Sequence, residues 1–363
     1  MSAAPRRGLV AALLASALAA CAGSRPPPPA PPSTDVRYGE EVVEVTPLDR
    51  ELAGKNPEEL RAVALAAVAA GDEMRAAAAW GRLADLWPAS PLAPEARREA
   101  ARAEARRGNW KGSLERARTA ERDPGGEVAA GFLVASAQWH LGDDAAARQT
   151  LDALVGRPGL SRADAVRARV ERGVVETDLG DDAAAERDLR EAVALAQEGS
   201  DAERPDRRSV AQARYQLGEL DRRRLAAVPI DPAGSTPEQL EASLSRAAAL
   251  LLSAQDHYLD AIRAGDPEWG VAAGRRVGGL YADLRARLLE APLPPGLSEA
   301  DQRAYRAELR RQTRVLLEKA VSAYEQTLAA ARMAGVDGPL REEIGAALER
   351  ARAELLADDL RSP

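Results

Sequence analysis

Apolar and polar positions along the chain follow two regimes. Leu9 to Ala20 is an apolar run, interrupted only by Ser16. From Asn56 onward apolar residues return at helical spacing, the period of amphipathic helices. A recurring pair punctuates the helical part: Gly71-Asp72, Gly108-Asn109, Gly142-Asp143 and Gly180-Asp181. Its spacing is nearly even, as in arrays of helical repeats. A glycine takes the left-handed conformation that ends one helix, and the following Asp or Asn caps the orphan N–H groups of the next. Alanine-rich segments follow three of these caps, Ala76 to Ala79, Ala145 to Ala147 and Ala183 to Ala185. Such small residues let a second helix lie close against the first. One helix pair cannot bury its apolar face alone, so the spacing predicts a stack of pairs.

In the second half the interruptions are rarer and richer in proline, at Pro229 to Pro237 and Pro292 to Ser298. Between them the pattern predicts helices over 206–227, 237–264, 267–290, 299–334 and 338–358, too long for the earlier spacing. They are expected to run past the stack as long hairpins or a small bundle. In the last segment Ile344, Leu348, Leu355 and Leu356 fall on one side with charges elsewhere, which fits a terminal helix that closes the stack. Val42-Val43-Glu44-Val45 reads as a short strand without a visible partner, followed by Thr46-Pro47 as a helix start.

These residues make the chain resemble the tetratricopeptide-repeat family, whose helix-turn-helix unit has a comparable period. Gly71, Ala76, Trp80 and Pro88 stand at the family's small, aromatic and terminating positions. The second unit departs from it, with Ser113 and Ala117 where alanine and an aromatic are usual, and the third and fourth place Leu151 and Leu189 at the aromatic position. Leu217-Gly218 and Val277-Gly278-x-x-Tyr281 resemble the first-helix motif, while Ala254-x-x-x-Tyr258 and Ala320-x-x-x-Tyr324 resemble the second. The resemblance spans nearly all of 57–335. It implies an all-α, TPR-like α-solenoid of helix pairs, with ordinary-length repeats over 57–205 and elongated hairpins with a capping helix over 206–363. It also implies a binding surface for other proteins. In this family the first helix of each pair lines the concave face. Carried over position by position, that face receives Arg98, Arg102 and Arg106 from the second repeat, Phe132, Trp139 and His140 from the third, and Tyr215, Arg222 and Arg223 from the fifth. Arginine and aromatic residues are what interface hot spots favour. The competing reading puts Phe132 and Trp139 in the core between repeats and leaves the arginines merely solvated.

The leader has its own signature. Arg6 and Arg7 precede the apolar run, which is shorter than the ~20 residues that span a bilayer and fits a signal-peptide core. It ends in Leu18-Ala19-Ala20-Cys21, which resembles the lipobox of bacterial lipoproteins. That resemblance implies a signal peptide over 1–20, cleavage before Cys21 and acylation there. With Ala22 rather than aspartate next, it implies an outer-membrane anchor facing the periplasm. Residues 21–56 then carry the lipidated cysteine, a proline-rich tether and an extended segment. Pro26 to Pro29, Pro31 and Pro32 favour polyproline II, a semi-rigid spacer of roughly 3.1 Å per residue.

Composition narrows the function. Aromatics are 3% against 45% hydrophobic residues, a balance that suits alanine-rich helices rather than sheets. The net charge of -7, or -9 without Arg6 and Arg7, argues against nucleic-acid binding. Cys21 is the only cysteine, so no intramolecular disulfide forms. His140 and His257 are the only histidines, and neither lies in a nucleophile or metal motif. No catalytic residue, metal or cofactor is expected, and no small-molecule substrate. The acid pairs Asp143-Asp144 and Asp181-Asp182 read as helix caps. The expected partners are other envelope proteins. Trp269 to Gly278, Ala291 to Ser298, Arg310 to Ala320 and Thr46 to Asp49 resemble tetratricopeptide lipoproteins of myxobacterial type, some of which serve adventurous gliding motility. An accessory role in outer-membrane β-barrel assembly, or a cell-wall binding or hydrolysing role, are the alternatives.

Overall fold

The computed structural model describes residues 35–38, 41–198 and 205–361. Cys21, the leader and the proline-rich tether lie outside them. Among the described residues the chain opens with a two-stranded antiparallel hairpin, β1 (Asp35–Tyr38) and β2 (Glu41–Glu44), with Val36 opposite Val43. The strand expected around Val42 thus has a local partner, supplied by Asp35–Tyr38, in which the sequence pattern is too weakly apolar to be seen.

A short helix α1 (Pro47–Leu52) follows, begun by Thr46, which exchanges bonds with Asp49 in a capping box. The stack itself comprises α2 (Pro57–Ala69) with α3 (Glu73–Leu86), α4 (Ala93–Arg106) with α5 (Trp110–Ala120), α6 (Glu127–His140) with α7 (Asp144–Val155), and α8 (Arg162–Asp178) with α9 (Asp182–Gln197). Two longer pairs succeed them, α10 (Arg207–Ala227) with α11 (Pro237–Arg263) and α12 (Pro267–Glu290) with α13 (Glu299–Ala334), before α14 (Pro339–Arg361). Each helix packs on the next, and from α4 onward each first helix also touches the first helix of the following pair, through to α14. First helices therefore form one continuous layer. This is an α-solenoid.

The four Gly-polar pairs build one turn four times. Each glycine has a positive φ, from 71° to 83°. The N–H of Asp72, Asn109, Asp143 and Asp181 donates back to the carbonyl of Ala67, Glu104, Gln138 and Glu176, at 2.9 Å in every case. The same four side chains accept from Arg75, Gly112, Ala146 and Ala184, so each caps the next helix. Capping thus accounts for Asp143 and Asp181.

Within each pair but the second, where Ala117 stands at the crossing, a small residue of the first helix faces a larger one of the second. Ala64 shares a core cluster with Trp80, and Ala135 with Leu151. Further on the small residue is glycine. A methyl group on Gly173 would meet Leu189 at 2.9 Å, and one on Gly218 would meet the Tyr258 ring at 2.6 Å. On Gly278 it would press closer still on Tyr324.

The long helices outrun their pairs. No side chain of α11 before Ala247, and none of α13 before Thr313, is buried. On α14, Ile344, Leu348 and Ala351 close the last core, and Leu355 packs at its edge. Leu356 is instead 60% exposed. It sits one residue past the buried stripe, where the helix has already turned by roughly 100°. The far end of α14 is held by Arg285 of α12, 4% exposed, which pairs with Asp358 and donates to Glu354 at 2.7 Å.

Two stability measurements follow. Arg285→Ala removes the buried guanidinium that pairs with Asp358 and Glu354, and urea titration is expected to show a loss of about 3 kcal/mol. Replacing both Arg285 and Asp358 with apolar residues should return most of it. Glu176 is buried, and one carboxylate oxygen has no partner. Burial, then repulsion from Asp188, pushes its pKa up to about 7. The folded protein therefore holds a proton that the unfolded chain releases near its ordinary value, so stability falls as pH rises from about 4.5 to 7. Glu176→Gln is expected to flatten that slope and raise Tm by a few degrees at pH 8. An unchanged slope would contradict the assignment.

Candidate functional site

The layer of first helices carries the residues that the repeat register singles out, but the fold treats them differently. On α4, Arg98 is half-buried and has no polar partner among the described residues. Arg102 pairs with Glu99, and Arg106 with Glu73 at 2.7 Å. One repeat earlier, Arg61 grips Glu95 through two bonds of 3.0 and 3.1 Å. The arginine stripe is thus largely neutralised by acids on the same face.

Phe132 corrects the expectation of a lining aromatic. It is 1% exposed, packed among Leu151, Leu154, Ala168 and Val175, with the Arg167 guanidinium 4.0 Å from its ring centroid. The helix that should present it to solvent is covered there by the next repeat. Trp139 is half-buried against the same cluster and donates Nε1–H to Asp178 at 2.7 Å. His140 is exposed and stacks on Trp110, ring centroids 3.5 Å apart. Desolvation holds its pKa below the ordinary value, so the ring is neutral at pH 7. Its Nδ1–H donates to the Ser136 carbonyl at 2.8 Å, where only an acceptor is on offer.

The fifth and sixth pairs gather a polar cluster. Glu219 of α10 accepts from Arg222 at 2.9 Å and from the Tyr258 hydroxyl at 2.6 Å, and forms an ion pair with Arg276 at 2.8 Å. Burial opposes its charge, but Arg222, Arg276 and Tyr258 outweigh it and keep the carboxylate below its usual range. Tyr215 leans on Tyr258 and Trp269, and its oxygen accepts from Arg276 at 3.0 Å. Tyr215 and Arg222 therefore belong to one site. Arg223 does not, because it turns back to Asp182 of the preceding pair at 2.9 Å.

Beside this cluster, α10, α12 and α14 enclose a cavity of about 280 Å³ lined by Arg222, Arg275, Arg276, Asp283, Tyr324 and Arg350, among others. Sequence reasoning missed Arg275, Arg276 and Arg350. The signal for Arg275 was present, since counting from Val277-Gly278 puts it at the repeat position of Arg98, Phe132 and Tyr215. Arg350 had none, because the capping helix carries no repeat motif.

For acid–base chemistry, the nearest arrangement is Asp221, which accepts from Ser253 at 2.5 Å and lies 3.7 Å from His257 Nε2. The serine hydroxyl donates to the carboxylate and not to the imidazole, so the three groups do not form a serine–histidine–acid relay. Among the described residues no cluster of His, Cys, Asp and Glu has metal-binding form, and no helix is long and apolar enough to cross a membrane.

No protein-family model and no curated protein matches the sequence. Among solved structures, the chain is similar to a tetratricopeptide repeat protein from Parabacteroides merdae. They share 16% identity over 82% of this chain and 98% of that one, with a TM-score of 0.38. It is also similar to a TPR repeats protein from Bacteroides fragilis, at 13% identity over 82% and 99% and a TM-score of 0.31. Overlaps this loose carry no weight of their own. The solenoid fold stands on the helix contacts of the chain itself.

Proposed function

We propose that this chain is a lipid-anchored scaffold of the bacterial envelope, of tetratricopeptide type, that binds other proteins through its layer of first helices and catalyses no reaction. The observation that carries the reading is the cluster on α10, α12 and α14. There, arginines and tyrosines from three successive first-layer helices and their partners converge on one open face. Arginine and tyrosine anchors of this kind suit protein recognition, and an acidic or extended partner segment fits the guanidinium lining. The anchor rests on the sequence around Cys21, with the proline-rich stretch as its spacer. Acylation through more than one chain is what stable anchoring requires.

The likeness of 269–278, 291–298 and 310–320 to myxobacterial lipoproteins favours the gliding-motility machinery as the complex served. Co-purification with a barrel insertase in place of motility components would select the β-barrel assembly role. Release of fragments from peptidoglycan by the purified chain would select the cell-wall role.

Two experiments test the core of this reading. Radiolabelled palmitate fed to the native host is expected to mark the wild-type chain and leave Cys21→Ser unmarked, with the variant lost from the membrane fraction. An unlabelled, soluble wild-type protein would refute the anchor. Photo-crosslinkers at Leu65 and Ser136, on the first-helix layer, are expected to trap the same envelope partner, whereas crosslinkers at Leu252 and Met333, exposed on second helices, trap none. The reverse pattern sinks the assignment of the binding face.

A further inference from the structure

The cavity between α12 and α14 holds three polar groups that the protein leaves unused. Its walls are set by a ladder of ion pairs. Arg275 meets Glu343 at 2.9 Å, and Arg285 meets Glu354 at 2.7 Å and also Asp358. Partners advance together along both helices, so the two run in the same direction, and Arg285 and Arg275 set the register between them. By that register Asp283 lies opposite the turn that carries Arg350. This rung is open. Asp283 and Arg350 both line the cavity, both are exposed, and neither has a polar partner among the described residues. Gly279, Ala346 and Ala347 border the same space with almost no side chain, so nothing fills the gap between the two charges.

The third group comes from behind. The Tyr324 ring crosses from α13 over Gly278, too close for any side chain there, and is 5% exposed. Its hydroxyl reaches to 3.9 Å from where a Gly279 methyl would stand, at the cavity wall, and has no hydrogen-bond partner among the described residues. Burial, then Asp283, keeps the proton on that oxygen, so it is a ready donor. The other lining cations are already engaged: Arg222 and Arg276 with Glu219, and Arg275 with Glu343. Among the described residues, what remains is one cation, one anion and one hydroxyl. A plain anion would leave Asp283 facing it, and a plain cation would face Arg350.

Building on the first-helix layer as the binding face, we propose that this cavity receives a zwitterionic α-amino-acid group, its carboxylate on Arg350 and Tyr324 and its ammonium on Asp283. A volume of about 280 Å³ holds a small amino acid or the amino-acid end of a larger molecule. Both sources offer the same charge pair, and both groups are recognised by ionic hydrogen bonds of the strong kind.

Isothermal titration of the purified full-length chain decides it. Alanine is expected to bind saturably, with acetate and methylamine, which each carry one of the two charges, at least about 10-fold weaker. Diaminopimelic acid acetylated on one amine keeps one free amino-acid end. Binding as tight as alanine assigns the ligand to such an end on a larger molecule, whereas binding of alanine alone assigns the free amino acid. Arg350→Ala and Asp283→Asn, both solvent-facing, are expected to lose roughly 10-fold or more each. Tyr324→Phe keeps the buried ring and should lose several-fold with Tm unchanged. No binding of any amino acid near about 10 mM, or acetate binding as well as alanine, overturns the proposal. If crosslinks at Leu65 and Ser136 persist while amino acids fail to bind, this site falls and the scaffold reading stands.

Discussion

Five of the six pairs in the stack depend on one steric match, a first helix thinned to alanine or glycine where a large side chain of the second helix comes across. Ala64 under Trp80, Ala135 under Leu151 and Gly173 under Leu189 bring the two backbones close enough for the apolar faces to seal. Interiors are packed too tightly to accept an added methyl group without strain. The turn glycines then fix the direction in which the second helix returns. With both set, the register of the layer from α4 onward follows, because each first helix there rests on the next.

The same match changes character toward the end of the chain. In the first four pairs the crossing residue is apolar or, at Ala117, small. In the fifth and sixth it is a tyrosine, Tyr258 or Tyr324. A phenol long enough to pass over glycine emerges on the far side with its oxygen. Tyr258 thereby feeds Glu219 and its arginines, and Tyr324 reaches the open rung beside Gly279. One substitution in a packing rule thus turns a core contact into a polar contribution to the first-helix layer. The longer helices around these pairs supply the width that the arginines occupy.

Much of the fold was legible because it is local. The Gly-Asp turns, the caps and the long helices of the second half each depend on residues within a few positions, and the helices appear at 207–227, 237–263, 267–290, 299–334 and 339–361. The site was harder to read. Phe132 and Tyr215 share a repeat position, yet one is sealed by the following repeat and the other stays at the edge of a cluster, a difference made by neighbours on the next helix pair. Arg102 and Arg106 look like free cations in sequence and are claimed by Glu99 and Glu73. Arg223 follows Arg222 directly and points to another helix pair. Long side chains choose partners across the stack, where periodicity is silent. The hairpin partner of Val43 escaped notice for a local reason, since Asp35–Tyr38 is too weakly apolar to show a pattern.

Among the described residues helix contacts run chiefly between neighbours along the row, and the first and last pairs sit in separate core clusters. Strain or occupancy at α12 and α14 dissipates within a repeat or two, as in any one-dimensional array. The arginines near α4 and the tyrosine-lined cavity at the far end are therefore independent of each other. Residues at either place can change over evolutionary time without disturbing the packing at the other.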